Sequence, residues 1–314
     1  MEFITEQLLA QICDAAREAG RIMLHAKRPH EGGSEESALG IEDKGGHANF
    51  VTLYDKKVQD YLERELHELL PEAVFIGEED VQAPAAEQAA GEATEDGAAG
   101  AGGAGGSAGP RLTFVIDPID GTSNFMKDLR ASVVSIALLK DGAPEIGVVY
   151  QPYTDMMYYA VKGGGAFVHE GGNHAEGGVV TQQLRSSRDP FSRSFVMIGT
   201  SPYYPEFADP TFRLYAHYMP KCIDLRRFGA AAWEMCLAAS GRIGLFLELH
   251  LQLWDYAAGA LIAQEAGCRV TDIEGKPLRY TGPSSVAIAS EGVSGEDYLE
   301  GTAEILAGIG KDRT

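Results

Sequence analysis

Ile4, Leu8, Ile12, Ala15, Ala19, Ile22 and Met23 return at helical spacing, with Glu6, Gln11, Arg17, Glu18 and Arg21 opposite them, so residues 5–27 read as an amphipathic helix. A loop over 29–48 leads to a short extended piece, 50–55, and then to a second helix through Val58, Leu62, Leu66 and Leu69 that Pro71 stops. Val74-Phe75-Ile76-Gly77 reads as a strand running into Glu78, Glu79 and Asp80. From Leu112 to Ile116 apolar residues alternate as a second strand requires, and Pro118 and Gly121 are expected to break it into a turn. Strands at 133–140, 146–151, 156–161 and 166–168, punctuated by glycine and proline turns, predict an antiparallel meander. Beyond them the pattern gives strands at 195–199, 221–225, 243–249 and 287–290. It places helices at 210–218, 230–239 and 256–266, and a final one capped by Ser294 with Asp297 three residues on. Helix and sheet layers that alternate in this way make a mixed α/β (α+β) protein.

Residues 81–110 differ from the rest: mostly Ala and Gly, with Glu87, Glu92, Glu95 and Asp96 and almost no large apolar side chain. Such a segment cannot pack a core and reads as a flexible acidic loop, either a tolerated insertion or a lid, since both its ends flank candidate ligands. Its run Gly102-Gly103-Ala104-Gly105-Gly106 lacks the following Lys-Ser/Thr and the preceding strand of a phosphate-binding loop.

The 314 residues carry 26 basic and 46 acidic side chains, a net charge of −20, which argues against nucleic acid as a partner. An anionic substrate would be repelled at long range unless bound cations reverse the sign locally. Cys13, Cys222, Cys236 and Cys268 form no Cys-x-x-Cys pair and read as reduced core thiols. The start lacks a secretory pattern and no run approaches the roughly 18 apolar residues of a membrane span, so a cytoplasmic protein is expected.

The chemistry concentrates in three places. Asp117-Pro118-Ile119-Asp120-Gly121-Thr122 sets two carboxylates and a hydroxyl at a strand end, where open α/β sheets keep their ligands. Glu78 closes the strand before it, and Asp255, in Leu253-Trp254-Asp255-Tyr256, stands where a helix starts. Each has a plain alternative: Asx turns for Asp117 and Asp120, a helix cap for Asp255 or Thr122, a core aromatic for Trp254. Together they describe a pocket of hard oxygen ligands, free of His and Cys, that selects Mg²⁺ or Mn²⁺. Two carboxylates ~6 Å apart repel by roughly 3 kcal/mol at an effective dielectric near 20, so gathering four needs a cation to offset the cost. No two of the eight histidines pair at ligand spacing, and His169, His174 and His250 read as surface or loop residues.

Gly77-Glu78-Glu79, Asp117-Pro118-Ile119-Asp120-Gly121-Thr122, Trp254-Asp255-Tyr256-Ala257-Ala258-Gly259 and Glu265-Ala266-Gly267 resemble the inositol monophosphatase family of Mg²⁺-dependent, lithium-sensitive phosphatases, in the family's order over roughly residues 4 to 310. The resemblance implies a layered α-β-α-β-α sandwich, one domain in two intimate halves (about 1–185 and 186–314), a homodimer, and two or three Mg²⁺ per site. It implies that Glu78, Asp117 and the Ile119 carbonyl hold a first metal, Asp117, Asp120 and Asp255 a second, and Asp55 a third, weaker one. Thr122, paired with Asp55, would orient and help deprotonate a metal-activated water, with Glu78 or Glu79 sharing that task and Lys44 a positive group nearby. The amides that open the helix at Gly121 and Thr122 would face the phosphate. No covalent phosphoenzyme is expected.

Substrate contacts are expected from Gly121, Thr122, Gly229, Ala230, Glu248 and Asp255. Glu248 matches a family position that bonds substrate hydroxyls, or else is a solvated acid at a strand end. Ala230 stands where the family often has Ser or Thr, which weakens the case for myo-inositol phosphate. Arg226 and Arg227 would suit a second phosphate or a surface ion pair. The function this supports is hydrolysis of a small polyol or sugar monophosphate, inositol 1-phosphate by default. Fructose 1,6-bisphosphatase or nucleotide 3′-phosphatase activity is the enzymatic alternative, and a binding or regulatory protein of the same fold the non-enzymatic one.

Overall fold

Two sheets separated by a layer of helix carry the fold in the computed structural model, which describes residues 6–27, 38–45, 49–80, 110–171 and 180–309. In the larger sheet β3 (Val74–Gly77), β4 (Leu112–Asp120), β5 (Val133–Lys140), β6 (Ala143–Gln151), β7 (Met156–Val161), β8 (Gly165–Glu170) and β9 (Val180–Gln183) lie in chain order. All neighbours are antiparallel except the β3–β4 pair. The smaller sheet runs β11-β10-β12-β14-β13. Here β10 (Phe195–Ile198), β11 (Asp224–Arg226) and β12 (Leu245–Leu251) are parallel, and β14 (Ser284–Ala289) pairs antiparallel with β12 and β13 (Arg269–Thr271). A separate ribbon joins β1 (Glu42–Asp43) to β2 (Phe50–Val51).

Helices α1 (Glu6–Leu24) and α2 (Leu53–Leu69) cover the outer face of the larger sheet, burying Ile12, Ala16, Leu62 and Leu66 against Phe114, Ile136 and Val148. Helices α5 (Ala231–Ala239) and α6 (Leu253–Glu265) lie between the sheets, and their cluster draws on both. Helix α6 is apolar on nearly all sides, the composition of a helix covered all round. It can lie close to β6 because Gly147 has no side chain: a Cβ there would stand 2.7 Å from the Ala258 carbonyl oxygen. Helices α4 (Ala208–Tyr218) and α7 (Gly295–Ile309) close the far face of the smaller sheet over Val196, Leu245 and Ala287. The α-β-α-β-α layering expected from the resemblance is the architecture found.

Local differences matter for the site. The 50–55 piece is extended only at Phe50–Val51; α2 starts at Leu53, because Thr52 and Asp55 close a capping box, Thr52 N–H donating to Asp55 Oδ2 at 2.8 Å. Pro118 does not end β4, which continues to Asp120 with its register against β5 broken between Asp117 and Asp120. A bulge is where a strand tolerates a residue without an N–H. Helix α6 begins three residues early, so Asp255 sits inside its first turn. Strands β1, β9 and β13 had no predicted counterpart; all are short, and β9 is exposed throughout. The Ala/Gly-rich segment lies outside the described residues from 81 to 109, as does His174.

Candidate active site

The β4 bulge sets the geometry. It turns both Asp117 and Asp120 toward a cavity of about 340 Å³, whose wall also includes Glu78, Ile119, Gly121, Thr122, Glu248 and Asp255. Acids from β3's end, from β4 and from α6, remote in sequence, thus meet on one surface. Burial pushes the Asp117 carboxyl far above the usual carboxylate range, with Glu78, Asp120 and Asp255 adding to the rise in that order. Asp255 is raised by burial and then by Asp120 and Glu78, and Asp120 by burial against the opposing pull of its backbone donors.

Each acid also has a local anchor. Asp117 Oδ1 accepts from Ile119 N–H at 3.1 Å, so the Asx turn is present, and the hydrogen bond leaves the other carboxylate oxygen without a share in it. Asp120 accepts from Ala231 N–H at 3.1 Å and Ala232 N–H at 2.8 Å, the first amides of α5. Asp255 Oδ2 accepts from Gln252 N–H at 2.7 Å in a capping box, so Gln252 rather than Asp255 is the helix cap. Lys44 Nζ donates to Glu78 Oε1 at 3.2 Å and Glu79 Oε1 at 2.7 Å. Burial alone would lower the Lys44 ammonium, but those two carboxylates outweigh it and hold it above its ordinary value.

Turned to these donors, the side chains do not form a closed cage: among the described residues no three His, Cys, Asp or Glu side chains make a preformed metal cluster. The donor set still fits hard divalent cations. A carboxylate offers about four lone-pair sites, so one or two hydrogen bonds leave each of these acids able to ligate, and burial among like charges favours a cation over separate ionised carboxylates.

Thr122 opens the five-residue helix α3 (Thr122–Met126) after Gly121, whose backbone is left-handed at φ 88°. Its hydroxyl lies 3.2 Å from Asp55 Oδ1 and 3.1 Å from the Ile119 carbonyl oxygen and donates to one at a time. Asp55 is fully buried behind Thr122, off the cavity wall, with its other oxygen taken by Thr52. Burial lifts its carboxyl to about 6. Asp55 therefore sits as a partner to Thr122 more directly than as a ligand facing the cavity.

Glu248 Oε1 accepts from Ser201 N–H at 2.9 Å, and the side chain lies across Gly199, where a Cβ would stand 2.0 Å from Oε2. It is buried, with its carboxyl raised to about 7 by that burial, so it is no solvated strand-end acid. Ala230, by contrast, is fully buried and does not reach the wall; Gly229 and Ala231 line it instead. Of the paired arginines, Arg227 lines the cavity while Arg226 points away, its guanidinium over the Phe195 ring and bonded to Asp224 and to the Leu225 carbonyl.

Two features escaped sequence reasoning. Glu234, buried in α5, accepts from Phe228 N–H and from Gly229 N–H at 2.8 Å and so shapes the turn beneath Arg227. Its only signal in the sequence is that of a lone acid in the otherwise apolar, Ala-rich run that follows Ala230. His250 lies on the cavity wall in β12, against the rings of Tyr204 at 4.2 Å and Phe207 at 5.7 Å, correcting its reading as a surface or loop residue.

The sequence pattern described as "Inositol monophosphatase family" matches residues 5–308. The chain belongs to that family. It is 32% identical over 240 residues to "Inositol-1-monophosphatase" of Rhizobium meliloti, covering 74% of this chain and 76% of that one. It is 34% identical over 178 residues to "Nus factor SuhB" of Pasteurella multocida, covering 57% of this chain and 63% of that protein's length. Among solved structures, the extragenic suppressor protein suhB from Bartonella henselae superposes with a TM-score of 0.72 at 27% identity, covering 96% of this chain and 98% of that chain. Family membership supports a metal-dependent phosphatase. Among the described residues no helix is long and apolar enough to cross a membrane.

Proposed function

We propose that this protein hydrolyses the phosphate monoester of a small polyol or sugar, inositol 1-phosphate being the default substrate, with Mg²⁺ as the natural metal and Mn²⁺ able to replace it. One observation carries the reading: Glu78, Asp117, Asp120 and Asp255 share one cavity wall with a hydroxyl, Thr122, backed by a buried carboxylate. Glu78, Asp117, Asp120 and Asp255, with the Ile119 carbonyl, would hold the cations. Bound there, the cations supply charge neutralisation on the phosphoryl oxygens and help for the leaving alkoxide.

The remaining work falls to the chain. When Thr122 donates to Asp55, its oxygen lone pairs face the cavity and can accept from the attacking water, fixing that water's direction. Asp55, raised to about 6, stays largely ionised at neutral pH and keeps the hydroxyl turned as an acceptor toward the cavity. Glu248, fixed by Ser201, offers a carboxylate oxygen to substrate hydroxyls. Phosphate release from inositol 1-phosphate with Mg²⁺, set beside the same assay on glucose and glycerol phosphates, tests the proposal; no turnover on the whole panel would refute it.

A second reading rests on a relative's printed name, Nus factor: a protein of this fold that works by binding a partner. A folded sample that binds Mg²⁺ yet turns over no phosphate ester would favour it.

A further inference from the structure

We infer that a second cavity, between β10 and α5, is a binding site for a small carboxylate with an apolar body, an acyl or aryl acid whose charged end is held by Arg242. The inference stands apart from the phosphatase reading, because its test measures binding rather than turnover.

Periodicity supplies the apolar walls. Phe195 and Met197 stand two apart on β10 and share one face of the sheet, while Trp233 and Leu237 stand four apart on α5 and share one face of the helix. These faces meet around a cavity of about 310 Å³. Met197 and Leu237 are buried, whereas Phe228, from the turn after β11, is 41% exposed and packs its ring on Trp233 at 4.9 Å between centroids. A concave apolar surface with few polar groups is the usual form of a small-molecule site. Residues 227–229 part this cavity from the catalytic one, Arg227 and Gly229 lining that wall and Phe228 this one. The Phe228 backbone is held on both sides, its N–H donating to Glu234 and its carbonyl accepting from Asn124 Nδ2 at 2.7 Å.

Charge decides the class of ligand. In a chain of net charge −20 no carboxylate lines this cavity, and its charged groups are Arg226 and Arg242. Arg226 lies over the Phe195 ring at 5.1 Å and bonds Asp224 and the Leu225 carbonyl through Nη1 alone. The Arg242 guanidinium is exposed and makes no hydrogen bond or ion pair with any described residue. Its planar fork matches the two oxygens of a carboxylate. A phosphate, with more charge to strip of water, fits apolar walls less well. A second copy of the chain is also the poorer occupant, since a two-fold contact centred here would set the arginines of both copies together with no carboxylate on the wall between them.

Calorimetric titration of the full chain with octanoate and with 3-phenylpropanoate tests the inference, the tighter of the two separating an acyl from an aryl ligand. Octylamine is the cationic control, and hydrogen exchange locates the bound acid. Saturable binding of one acid per chain is expected, with slowed exchange in residues 226–243. Octylamine should bind at least tenfold more weakly than octanoate, and so should butanoate, which buries less chain. R242Q should weaken either acid tenfold or more, and R242E should reverse the preference between octanoate and octylamine, with thermal melting as the check that both variants fold. No saturable uptake of either acid, equal uptake of acid and amine, or unchanged binding by folded R242Q overturns the inference. A second copy seated on this face would show as no uptake together with dissociation of R242E on sedimentation, and overturns it as well.

Discussion

Thr122 Oγ1 stands 3.2 Å from Asp55 Oδ1 across 67 residues of sequence, and the Asp55 oxygen that Thr122 does not touch is bound by the cap of α2. A helix terminus on the outer layer thereby fixes the direction of a hydroxyl in the cavity. T122A is expected to lower kcat by roughly a hundredfold, the usual size of a lost proton-transfer or positioning group, with a much smaller change in KM. T122S, which keeps the hydroxyl, should restore most of it. Steady-state kinetics on inositol 1-phosphate checks both.

Asp120 both faces the cavity and caps α5. D120N keeps one acceptor oxygen for those amides and removes one of the repelling charges. Turnover should be lost, while the melting temperature in EDTA stays unchanged or rises; a folded D120N with full activity would remove Asp120 from the proposed metal site.

Removing Glu234 acts on the fold. E234A leaves the Phe228 and Gly229 N–H groups without their acceptor and should cost about 1–3 kcal/mol, measured by urea unfolding. A loss below a few tenths would mean that the turn under Arg227 holds itself.

The acids that rise on folding give a pH dependence of definite sign. Asp55 near 6 and Glu248 near 7, with Asp117 and Asp255 also raised, bind protons more tightly folded than unfolded. Their contribution to stability is full below the ordinary carboxylate range, near 4, and is lost as pH climbs through the folded values. In EDTA the melting temperature should therefore fall between pH 5 and 8. The stabilisation gained on adding Mg²⁺ should grow as pH rises, because the metal takes the place of the protons on Asp117 and Asp255. A gain in melting temperature that is flat or shrinks with pH would contradict this.

Much of this layout was legible in the chain because its signals are local. The apolar run of α6 and the alternation in β4 to β8 fixed the middle layers, and each acidic motif sits at an element end that its neighbours announce. What could not be read depends on contacts between distant segments. Nothing around Pro118 says that β5 will continue to pair past it, nor that Thr52 will start α2 early and draw Asp55 behind Thr122. Ala230 and Ala231 look alike in sequence and both are buried, yet only Ala231 reaches the cavity wall. Arg226 ends β11 and Arg227 follows it, so only the placement of that strand end decides which of them faces the cavity.

The most direct measurement is phosphate release from inositol 1-phosphate by protein stripped with EDTA, before and after Mg²⁺ is added back, with D117N alongside. The expected result is no turnover in EDTA, full recovery with Mg²⁺ in the wild-type protein, and none in folded D117N. Equal turnover with and without the metal would contradict the idea that these converging acids act by holding cations.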